Sequence, residues 1–460
     1  MPAKSQPHRI ATILSYLRFL TPFFLFSLAL LSCAPKIASP DAMEAAPPTV
    51  QGEAAGAMII PAGQLYAPRH GQRLQRGATV DGHVNSPKSV NFTKDGKKVY
   101  VNALEGMETL VYSFPELRLQ SVIGHSFGTA DAGLFKGGET TVFGYPYYHR
   151  RDSSAKNVFS GKPVEGAFSH DGRYFWVPYY RRSFDSNASG PSAMAIIDTG
   201  VDRIVRVMPT GPLPKMVAVS PDNSILAVTH WGDNTVGLID ISSSDPRDFS
   251  YTQLLVVERR LDTAGLTGNR DNNCGYCLRG TVFSPDGRHL LVGRMAGGGV
   301  SVFAIPGGEY LGSFTNFSPS PRHLVLDPAG EFLYASDSRH GVVARVSLAE
   351  ALESLRANPG QSVGGPEGEK LDVGKMPRTI AISPDGLSLY ASVYGSSKLV
   401  RVDTGKWQVS GQEDVSPFPV GLGVSPGGGY VAITSQGRLD SELDPPAYSG
   451  GNSVEIFKVN

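Results

Sequence analysis

Five basic residues occupy the same position in successive copies of a short repeated motif. Each lies seven residues before a tight turn that most copies mark with an aspartate, and the set is Lys88, Lys215, Arg279, Arg322 and Arg378. If the copies are arranged around a circle, these side chains surround one opening. Like charges about 10 Å apart repel by on the order of 1 kcal/mol per pair. The spacing therefore indicates a ligand-binding site for an anion, contacted by charge-assisted hydrogen bonds.

Two interpretations of these cations stay open at the level of sequence. In the first, each cation pairs with an acid of its own or the next copy and fastens the inner strands together. The candidate acids are Asp198, Asp240, Asp403 and Glu165. In the second, the opening captures a carboxylate, a phosphate or an acidic glycan.

The next position along each copy adds one acid and one histidine, Glu165 and His323. Either side chain suits a general base if the two converge. The sequence contains no phosphate-binding Gly-x-x-x-x-Gly-Lys loop and no His-Glu-x-x-His helix. We therefore predict a binding protein rather than an enzyme, with catalysis by Glu165 or His323 as the alternative.

Two cysteines stand close together in the sequence Cys274-Gly-Tyr-Cys277. These four residues resemble the dithiol of periplasmic disulfide isomerases, but nothing here supplies the helix N-terminus that lowers a thiol pKa. Zinc would need two further ligands, and haem attachment would need a histidine where Leu278 stands. In an exported chain we expect a structural disulfide that braces the loop before Arg279. The sequence predicts no metal and no cofactor.

Two aromatic segments, residues 145–151 and 174–182, combine tyrosines with arginines. Such platforms suit stacking on sugar rings or contact with a protein partner. We expect Phe175 and Val177 to lie in the core. Only the ends of the two segments, residues 147–151 and 179–182, are expected to be free for binding.

The elements that position these residues are hairpins. Residues 376–394 place two apolar strands on either side of the turn Ser-Pro-Asp-Gly, in which proline presets φ and glycine permits positive φ. Seven copies are visible, with turn positions at Asp95, Asp171, Asp222, Asp286, Ala329, Asp385 and Gly427. A second mark stands eight residues before the turn position of each copy, and it is a proline in six copies and a leucine in one. These residues are Pro87, Pro163, Pro214, Leu278, Pro321, Pro377 and Pro419.

A repeat of about forty residues with several short strands is the signature of an all-β fold, the β-propeller. We predict seven blades, with eight as the alternative, because the long interval from Asp95 to Asp171 shows no convincing third strand. The last copy is one strand short. We expect residues 71–81 to pair with residues 454–459, so that N- and C-terminal strands close the last blade and remove an exposed edge.

The pattern Pro-x-x-Ile-Ala-Ile-Ser-Pro-Asp-Gly at residues 377–386 resembles the YVTN β-propeller repeat of surface-layer and periplasmic proteins, over about residues 85–460. The lactonase-like seven-bladed propellers are similar. The resemblance implies a cell-envelope module that binds or scaffolds an anionic ligand or a protein partner. It also implies, as the alternative, a lactonase- or lyase-like enzyme acting on an anionic small molecule or sugar.

The N-terminus reads as a lipoprotein signal peptide over residues 1–32. Basic residues precede an apolar run that is short for a membrane span. The sequence Leu-Leu-Ser-Cys ending at Cys33 resembles a bacterial lipobox, so we expect Cys33 to carry the lipid anchor. An ordinary export signal or an uncleaved anchor is the alternative. Residues 33–60 are predicted to form a flexible tether and residues 61–460 the β-propeller.

The expected location is therefore the periplasm or the cell surface, on a membrane anchored through Cys33. Ala34 favours the outer membrane if the cell is Gram-negative, by resemblance to the sorting pattern of such lipoproteins. The 42 basic residues balance 42 acidic ones, so we expect no nucleic acid partner. The expected partners are the membrane, and an envelope protein or an anionic glycan or small molecule.

Overall fold

Seven antiparallel sheets follow one another along the chain in the computed structural model, which describes residues 59–135, 158–262, 268–440 and 447–460. In most neighbouring pairs the first strand of one sheet packs beside the first strand of the next, around a central channel. The chain is therefore a seven-bladed β-propeller, as predicted, and the eight-bladed alternative is wrong.

Each blade begins with its innermost strand and extends outwards from the channel. Blade 1 comprises Pro87–Phe92, Lys98–Ala103, Glu108–Ser113 and Leu119–Gly124. Blade 2 has an inner strand in two parts, Phe159–Pro163 and Ala167–Ser169, then Tyr174–Arg182, Ser192–Asp198 and Arg203–Thr210, and Ser126–Phe127 extends its first part. Blade 3 comprises Pro214–Val219, Ile225–His230, Thr235–Asp240 and Ser250–Val256. Blade 4 comprises Leu278–Phe283, His289–Arg294, Val300–Ala304 and Tyr310–Phe314, with Gln361–Val363 added in parallel.

Blade 5 comprises Pro321–Leu326, Phe332–Asp337, Val342–Ser347 and Glu369–Asp372. Blade 6 comprises Pro377–Ile382, Ser388–Val393, Lys398–Asp403 and Gln408–Asp414. Blade 7 comprises Pro419–Val424, Tyr430–Ser435, Ser453–Val459 and Ile59–Tyr66, with Thr79–Val80 beside the last. Outside the blades lie the α-helix Leu348–Arg356, the 3-10 turns Thr129–Leu134 and His170–Gly172, and a hairpin of Arg438–Asp440 with Ala447–Ser449.

The turn aspartates owe their place in the repeat to hydrogen bonds within the turn. The Ser383 hydroxyl donates to Asp385 Oδ1 at 2.5 Å, and the same oxygen accepts the backbone N–H of Leu387 at 3.0 Å. The same arrangement recurs at Asp95, Asp222 and Asp286. Such side-chain turns explain why Ser or Thr stands two residues before the aspartate.

The last blade closes through both ends of the propeller, as predicted, but with a different N-terminal strand. Ile59–Tyr66 pairs antiparallel with Ser453–Val459, whereas residues 71–81 contribute only Thr79–Val80, in parallel to the closing strand. The expectation for residues 71–81 is wrong because this segment has no apolar face to bury. Leu74 and Val80 are 49% and 59% exposed, while Ile59 and Leu65 are buried.

The apolar core is divided into seven clusters. Between blades 1 and 2, for example, Tyr100 packs with Phe175, Ile197 and Val207. Burial of each blade against its neighbours thus stabilises the ring through the hydrophobic effect. No helix among the described residues is long and apolar enough to cross a membrane.

Some of the features predicted from the sequence fall outside the described residues. The signal peptide, Cys33 and almost the whole tether lie before the first described residue, Ile59. The aromatic segment at 145–151 also falls outside them. These remain predictions.

Candidate functional site

Each inner strand bulges at the residue that follows the second mark. In blade 3, Pro214 lies opposite His230 and Met216 lies opposite Thr229, so Lys215 is an extra residue without a cross-strand partner. An extra residue occurs at this place in every blade, including those of the other four cations. A β-bulge bends the strand and redirects a side chain. The bulges therefore bring the cations to the end of the channel where the inner strands begin, hereafter the channel mouth.

A left-handed residue precedes the second mark in most blades. The residues are Ser86, Leu213, Cys277, Met376 and Phe418, with φ of 53°, 53°, 52°, 59° and 63°. A non-glycine residue in this region costs on the order of 1–3 kcal/mol. The same costly turn at five equivalent places indicates that the geometry of the mouth is imposed by the repeat.

A polar side chain on the second strand holds each of several bulges. The Ser336 hydroxyl accepts the backbone N–H of His323 at 3.2 Å and donates to the carbonyl oxygen of Arg378, in the next blade, at 2.6 Å. Thr229 forms the same pair of bonds between blades 3 and 4. The sequence contains a signal for these hydrogen bonds. In five copies the residue seven positions after the turn has a polar side chain. These residues are Asn102, Thr229, Ser336, Ser392 and Thr434.

Close approach of the inner strands explains two glycines at the mouth. A Cβ on Gly280 would lie 2.7 Å from the backbone nitrogen of Leu324, and one on Gly421 would lie 2.5 Å from the carbonyl oxygen of Lys88. Both distances are too short for a side chain to fit. These positions therefore accept only glycine without movement of the neighbouring blade.

The five cations lie within electrostatic range of one another, and three of them are almost fully buried. Lys215, Arg279 and Arg322 are 8%, 5% and 8% exposed. Burial lowers the pKa of Lys88 and of Lys215 well below the usual value for lysine, and nearby Arg279 lowers both further. Burial also lowers the pKa of Arg378, to about 10. The folded chain thus collects charges that repel each other in a desolvated place.

Among the described residues, the carboxylates that form ion pairs at the mouth are Glu165 and Asp271. Glu165 of blade 2 accepts a hydrogen bond from Arg279 of blade 4 at 3.0 Å, across the channel. Asp271 lies 3.3 Å from Lys215 and 3.0 Å from Arg181. The other three acids that the sequence offered lie elsewhere: Asp198 contacts Arg173, Asp240 contacts Ser242, and Asp403 contacts Lys406.

The remaining three cations have no carboxylate partner among the described residues. Lys88 Nζ approaches Gln436 Oε1 at 3.4 Å, and Arg322 contacts the sulfur of Met295 at 3.7 Å. The Arg378 guanidinium lies 4.0 Å from the centre of the Tyr394 ring, and its Nε has no hydrogen-bond partner. Among the described residues, Lys88, Arg322 and Arg378 therefore form no ion pair with an acid, although Glu165 lies near enough to raise the pKa of Lys88 and of Arg322.

The predicted disulfide between Cys274 and Cys277 is confirmed, with a Cα–Cα distance of 4.8 Å. It closes the end of the insertion that carries Asp271 to the mouth. The backbone oxygen of Asp271 also accepts a bond from the Trp231 indole at 3.3 Å. The repeat in the sequence does not reveal Asp271, because the position of this residue depends on how a loop folds back over blade 3.

The aromatic segment of blade 2 is less accessible than predicted. Tyr179 and Arg182, expected to be free, are buried, and the Tyr179 hydroxyl bonds to His125 at 3.0 Å. The next residue, Tyr180, does reach the mouth, where its ring lies 3.9 Å from Lys215 Nζ. Phe175 and Val177 lie in the core as expected. The strand pairing shifts register between Tyr179 and Arg182, and this irregularity leaves both of these side chains buried while Tyr180 reaches the mouth.

The two candidate bases are both at the mouth but do not form a pair. No hydrogen bond joins Glu165 to His323, both of which lie in the described part of the chain. Burial, with a smaller effect from Arg279 and Arg322, lowers the pKa of His323 to about 3, so its imidazole is neutral at pH 7. Its Nδ1 has no hydrogen-bond partner there.

Other features offer less chemistry. Residues 124–128 read Gly-His-Ser-Phe-Gly, the pattern of a hydrolase nucleophile, but Ser126 begins a two-residue strand and contacts the Ser160 hydroxyl at 2.8 Å. A nucleophile elbow needs a strand-to-helix turn with a histidine on the serine. A cavity of about 530 Å³ between blades 3 and 4 lies at the turn end of the channel, away from the cations. The described residues contain no group of three or more His, Cys, Asp or Glu that could hold a metal ion.

Comparison with known proteins shows the propeller and one distant relative. The chain matches no known family profile. It is similar to the hydrazine synthase subunit beta of Kuenenia stuttgartiensis, with 26% identity over 250 residues. That match covers 46% of this chain and 59% of the relative, so the chain spans less than two thirds of the relative's length.

Two solved structures share the fold. Hydrazine synthase of Kuenenia stuttgartiensis superposes with a TM-score of 0.52 at 14% identity, over 79% of this chain and 96% of that one. The Cps50 (Swd1) β-propeller domain of Myceliophteria thermophila superposes with a TM-score of 0.54 at 14% identity, over 82% and 98%. At this identity the likeness shows a common architecture alone.

Proposed function

We propose that this propeller is a binding module whose channel mouth takes up an anion, either a small molecule or an anionic group of an envelope partner. The observation that carries the proposal is the imbalance of charge at the mouth. Among the described residues, Lys88, Arg322 and Arg378 are brought together without a carboxylate in direct contact with any of them. A buried cation without a partner is costly, and a bound anion offsets that cost.

The relative among known proteins supports a binding role. It is a subunit, that is, one chain of a larger assembly. A propeller that contributes a surface or a ligand site to an assembly needs no complete catalytic apparatus of its own. The lack of contact between Glu165 and His323 is in keeping with this role.

The test is anion binding by the protein and two variants. Isothermal titration with a panel of small carboxylates, phosphates and acidic sugars identifies an anion that binds the unmodified protein. The double variant Arg322→Ala/Arg378→Ala is expected to bind it at least tenfold more weakly, because about 1.4 kcal/mol per lost charged contact corresponds to a factor of ten. Lys94→Ala is the control, since Lys94 is exposed at the turn end and pairs with Asp171. Equal binding by the double variant and the control would discard the mouth as the site.

The location follows from the N-terminal sequence and is part of the same proposal. The chain is exported and held on a membrane by acylated Cys33, with residues 34–58 as the tether to the propeller. Acyl chains add about 0.8 kcal/mol of membrane binding per buried methylene. Cys33→Ser is expected to move the protein from the membrane to the soluble fraction of the cell envelope. Membrane retention of that variant would contradict lipidation.

A second candidate function is hydrolysis or elimination on an anionic lactone or sugar. The observation that favours it is the neutral imidazole of His323, whose Nδ1 is unpaired beside the cations. An anionic substrate bound beside His323 raises the pKa of the imidazole and makes it a stronger base, while the cations stabilise the oxyanion. This candidate requires turnover of such a compound that falls at least a hundredfold in His323→Gln or Glu165→Gln. Unchanged turnover in both variants would reject it.

A further inference from the structure

The channel mouth has two chemically different sides. On one side Glu165 and Asp271 satisfy Arg279, Lys215 and Arg181. The other side carries the unsatisfied cations, from blade 5, blade 6 and blade 1. Blade 7, which lies between blades 6 and 1, contributes the buried Val420 at the equivalent position. We call this second side, defined by Lys88, Arg322 and Arg378, the open side.

The open side is rich in donors and poor in acceptors. An arginine side chain offers five N–H donors and a lysine three. Arg322 uses its donors on a single sulfur contact, Lys88 has one amide oxygen, and Arg378 rests on an aromatic ring. The Arg322 side chain is more than nine-tenths buried, so water supplies little compensation. A ligand here must bring several acceptor oxygens.

The number and placement of the cations discriminate between kinds of anion. A carboxylate has two oxygens in one plane and is satisfied by one guanidinium in a bidentate contact. Three cations from three blades approach a ligand from three directions around the channel axis. A tetrahedral oxyanion presents oxygens in all of those directions.

Charge balance points the same way. The five ring cations face two carboxylates, Glu165 and Asp271, which leaves three positive charges unbalanced when all groups are ionised. A dianion neutralises two of these, whereas a monocarboxylate neutralises one. The cations repel one another by about 1–2 kcal/mol per pair at about 10 Å, so the second negative charge of a dianion relieves repulsion that a monoanion leaves in place.

We propose, building on the anion site argued above, that the open side binds a tetrahedral dianion, phosphate or sulfate, through Lys88, Arg322 and Arg378. The ligand is the free ion or the terminal group of a phosphorylated molecule. Tyr180 and Tyr394 lie against Lys215 and Arg378 at the mouth and bound the space that the rest of such a molecule enters.

Ligand binding is expected to be linked to proton uptake. Burial and neighbouring cations lower the pKa of Lys88, and a bound dianion raises it again by favouring the ammonium form. Calorimetry of sulfate binding in two buffers of different ionisation enthalpy therefore shows net proton uptake in the pH range where Lys88 of the free protein loses its proton. Binding at a surface site without Lys88 shows no such uptake.

The experiment is isothermal titration of the full-length protein at one ionic strength with inorganic phosphate, sulfate, acetate and glycerol 3-phosphate. Phosphate and sulfate are expected to bind at least tenfold more tightly than acetate. Arg322→Gln and Arg378→Gln are each expected to weaken phosphate binding about tenfold, and Lys94→Gln is expected to leave it unchanged. Arg322→Lys, which keeps the charge and the fold, is expected to retain part of the affinity. Tighter binding of glycerol 3-phosphate than of phosphate identifies a phosphorylated molecule as the ligand.

Two outcomes overturn the inference in different ways. If acetate binds as tightly as phosphate and both are lost in the variants, the tetrahedral class is wrong while the anion site stands. If no anion binds, or if the glutamine variants bind as well as the unmodified chain, the anion site itself is wrong. Circular dichroism and the melting temperature of each variant separate loss of binding from loss of folding.

Discussion

Arg322 shows most clearly, at the scale of single residues, what the mouth costs the protein. Its guanidinium is buried beside Arg279 and Arg378, both of which lower its pKa after burial itself. Its one side-chain hydrogen-bond contact among the described residues is the sulfur of Met295. Residues that serve a ligand site often reduce stability in this way.

Replacing Arg322 by methionine should therefore stabilise the protein without ligand. We expect Arg322→Met to raise the free energy of unfolding by about 1–3 kcal/mol, because it removes a desolvated charge and keeps an unbranched apolar side chain. The same variant should lose the stabilisation that sulfate gives the unmodified chain. Urea denaturation with and without sulfate measures both effects.

The control is Arg345→Met. Arg345 pairs with Glu369 at 3.1 Å on the third and fourth strands of blade 5, so its loss should lower stability slightly and leave the sulfate effect intact. A destabilised Arg322→Met protein that still responds to sulfate would contradict both the cost of this buried guanidinium and its contact with the anion.

Asp271 should make the proposed anion binding dependent on pH. Burial raises its pKa to about 6, although Arg279 and Lys88 act in the opposite direction. As the pH falls through about 6 the carboxyl takes up a proton and the mouth gains positive charge. We expect sulfate, which keeps both charges, to bind about three- to tenfold more tightly at about pH 5 than at about pH 7.5.

The matched variant is Asp271→Asn. It should bind sulfate at about pH 7.5 as tightly as the unmodified chain does at about pH 5. The sign for stability follows from the same group. Between about pH 4 and 6 the folded chain holds more protons than the unfolded chain, so this carboxyl lowers stability as the pH rises through that window. A pH profile unchanged by the substitution would exclude Asp271 as the titrating group.

The register of the cations could be predicted at the residue scale, but their partners could not. The spacing of seven residues between the cation and the turn lies within a single strand, and the structure places the cations as this spacing predicts. Which acid approaches Lys215 depends instead on the insertion before Cys274, whose path no repeat records. The sequence therefore predicted the ring and missed Asp271.

The bulge and its hydroxyl form the device that positions the cations at the scale of elements. Ser336 contacts the bulge of its own blade and the carbonyl oxygen of Arg378 in the next. Loss of this hydroxyl leaves a buried N–H and a buried C=O without their bonds. Each such group costs about 1–3 kcal/mol.

We expect Ser336→Ala to lower the free energy of unfolding by about 2–4 kcal/mol and to weaken phosphate binding three- to tenfold. Thr434→Val is the comparison, because Thr434 accepts the Gly421 N–H at 3.0 Å in blade 7, where the bulged residue is Val420. That variant should lose stability while keeping its affinity. Denaturation and titration of both variants separate structural loss from loss of positioning, and equal affinities in the two would refute positioning by Ser336.

The strands and turns could be predicted because their signals are local. Ser-Pro-Asp-Gly encodes a turn through its own hydrogen bonds, and the alternation of apolar residues encodes the strands on either side. A bulge has no such local signal, since it depends on the register between two strands. The feature of the sequence that indicates the bulge is the recurring polar residue seven positions after the turn.

Closure of the ring decides stability at the scale of the whole molecule. Deleting residues 59–66 removes the outer strand of blade 7 and exposes the edge of Ser453–Val459. We expect the melting temperature to fall by more than about 5 °C, since several kcal/mol of pairing and burial are lost. Deleting residues 71–77, which form no strand, should have a smaller effect. Thermal melts of both deletions decide between the two segments, and a larger effect of the second would contradict the observed closure.

The number of blades could be predicted from the sequence because each blade contains one copy of the repeated hairpin, so the number of copies equals the number of blades. The identity of the closing strand could not, because residues 71–81 and residues 59–66 both precede the first blade and neither carries the repeat. Residues 59–66 form the closing strand because they bury the apolar side chains of Ile59 and Leu65.

The pairing of Ile59–Tyr66 with Ser453–Val459 also determines how late in synthesis the ring can close. Ile59–Tyr66 must wait for its partner strand before it can pair, so the ring closes only after the chain has been made as far as Val459. Throughout that interval a nascent chain carries an unsatisfied edge that invites pairing with other molecules. A holdase that keeps the chain open until translation ends would therefore raise the yield of the native protein.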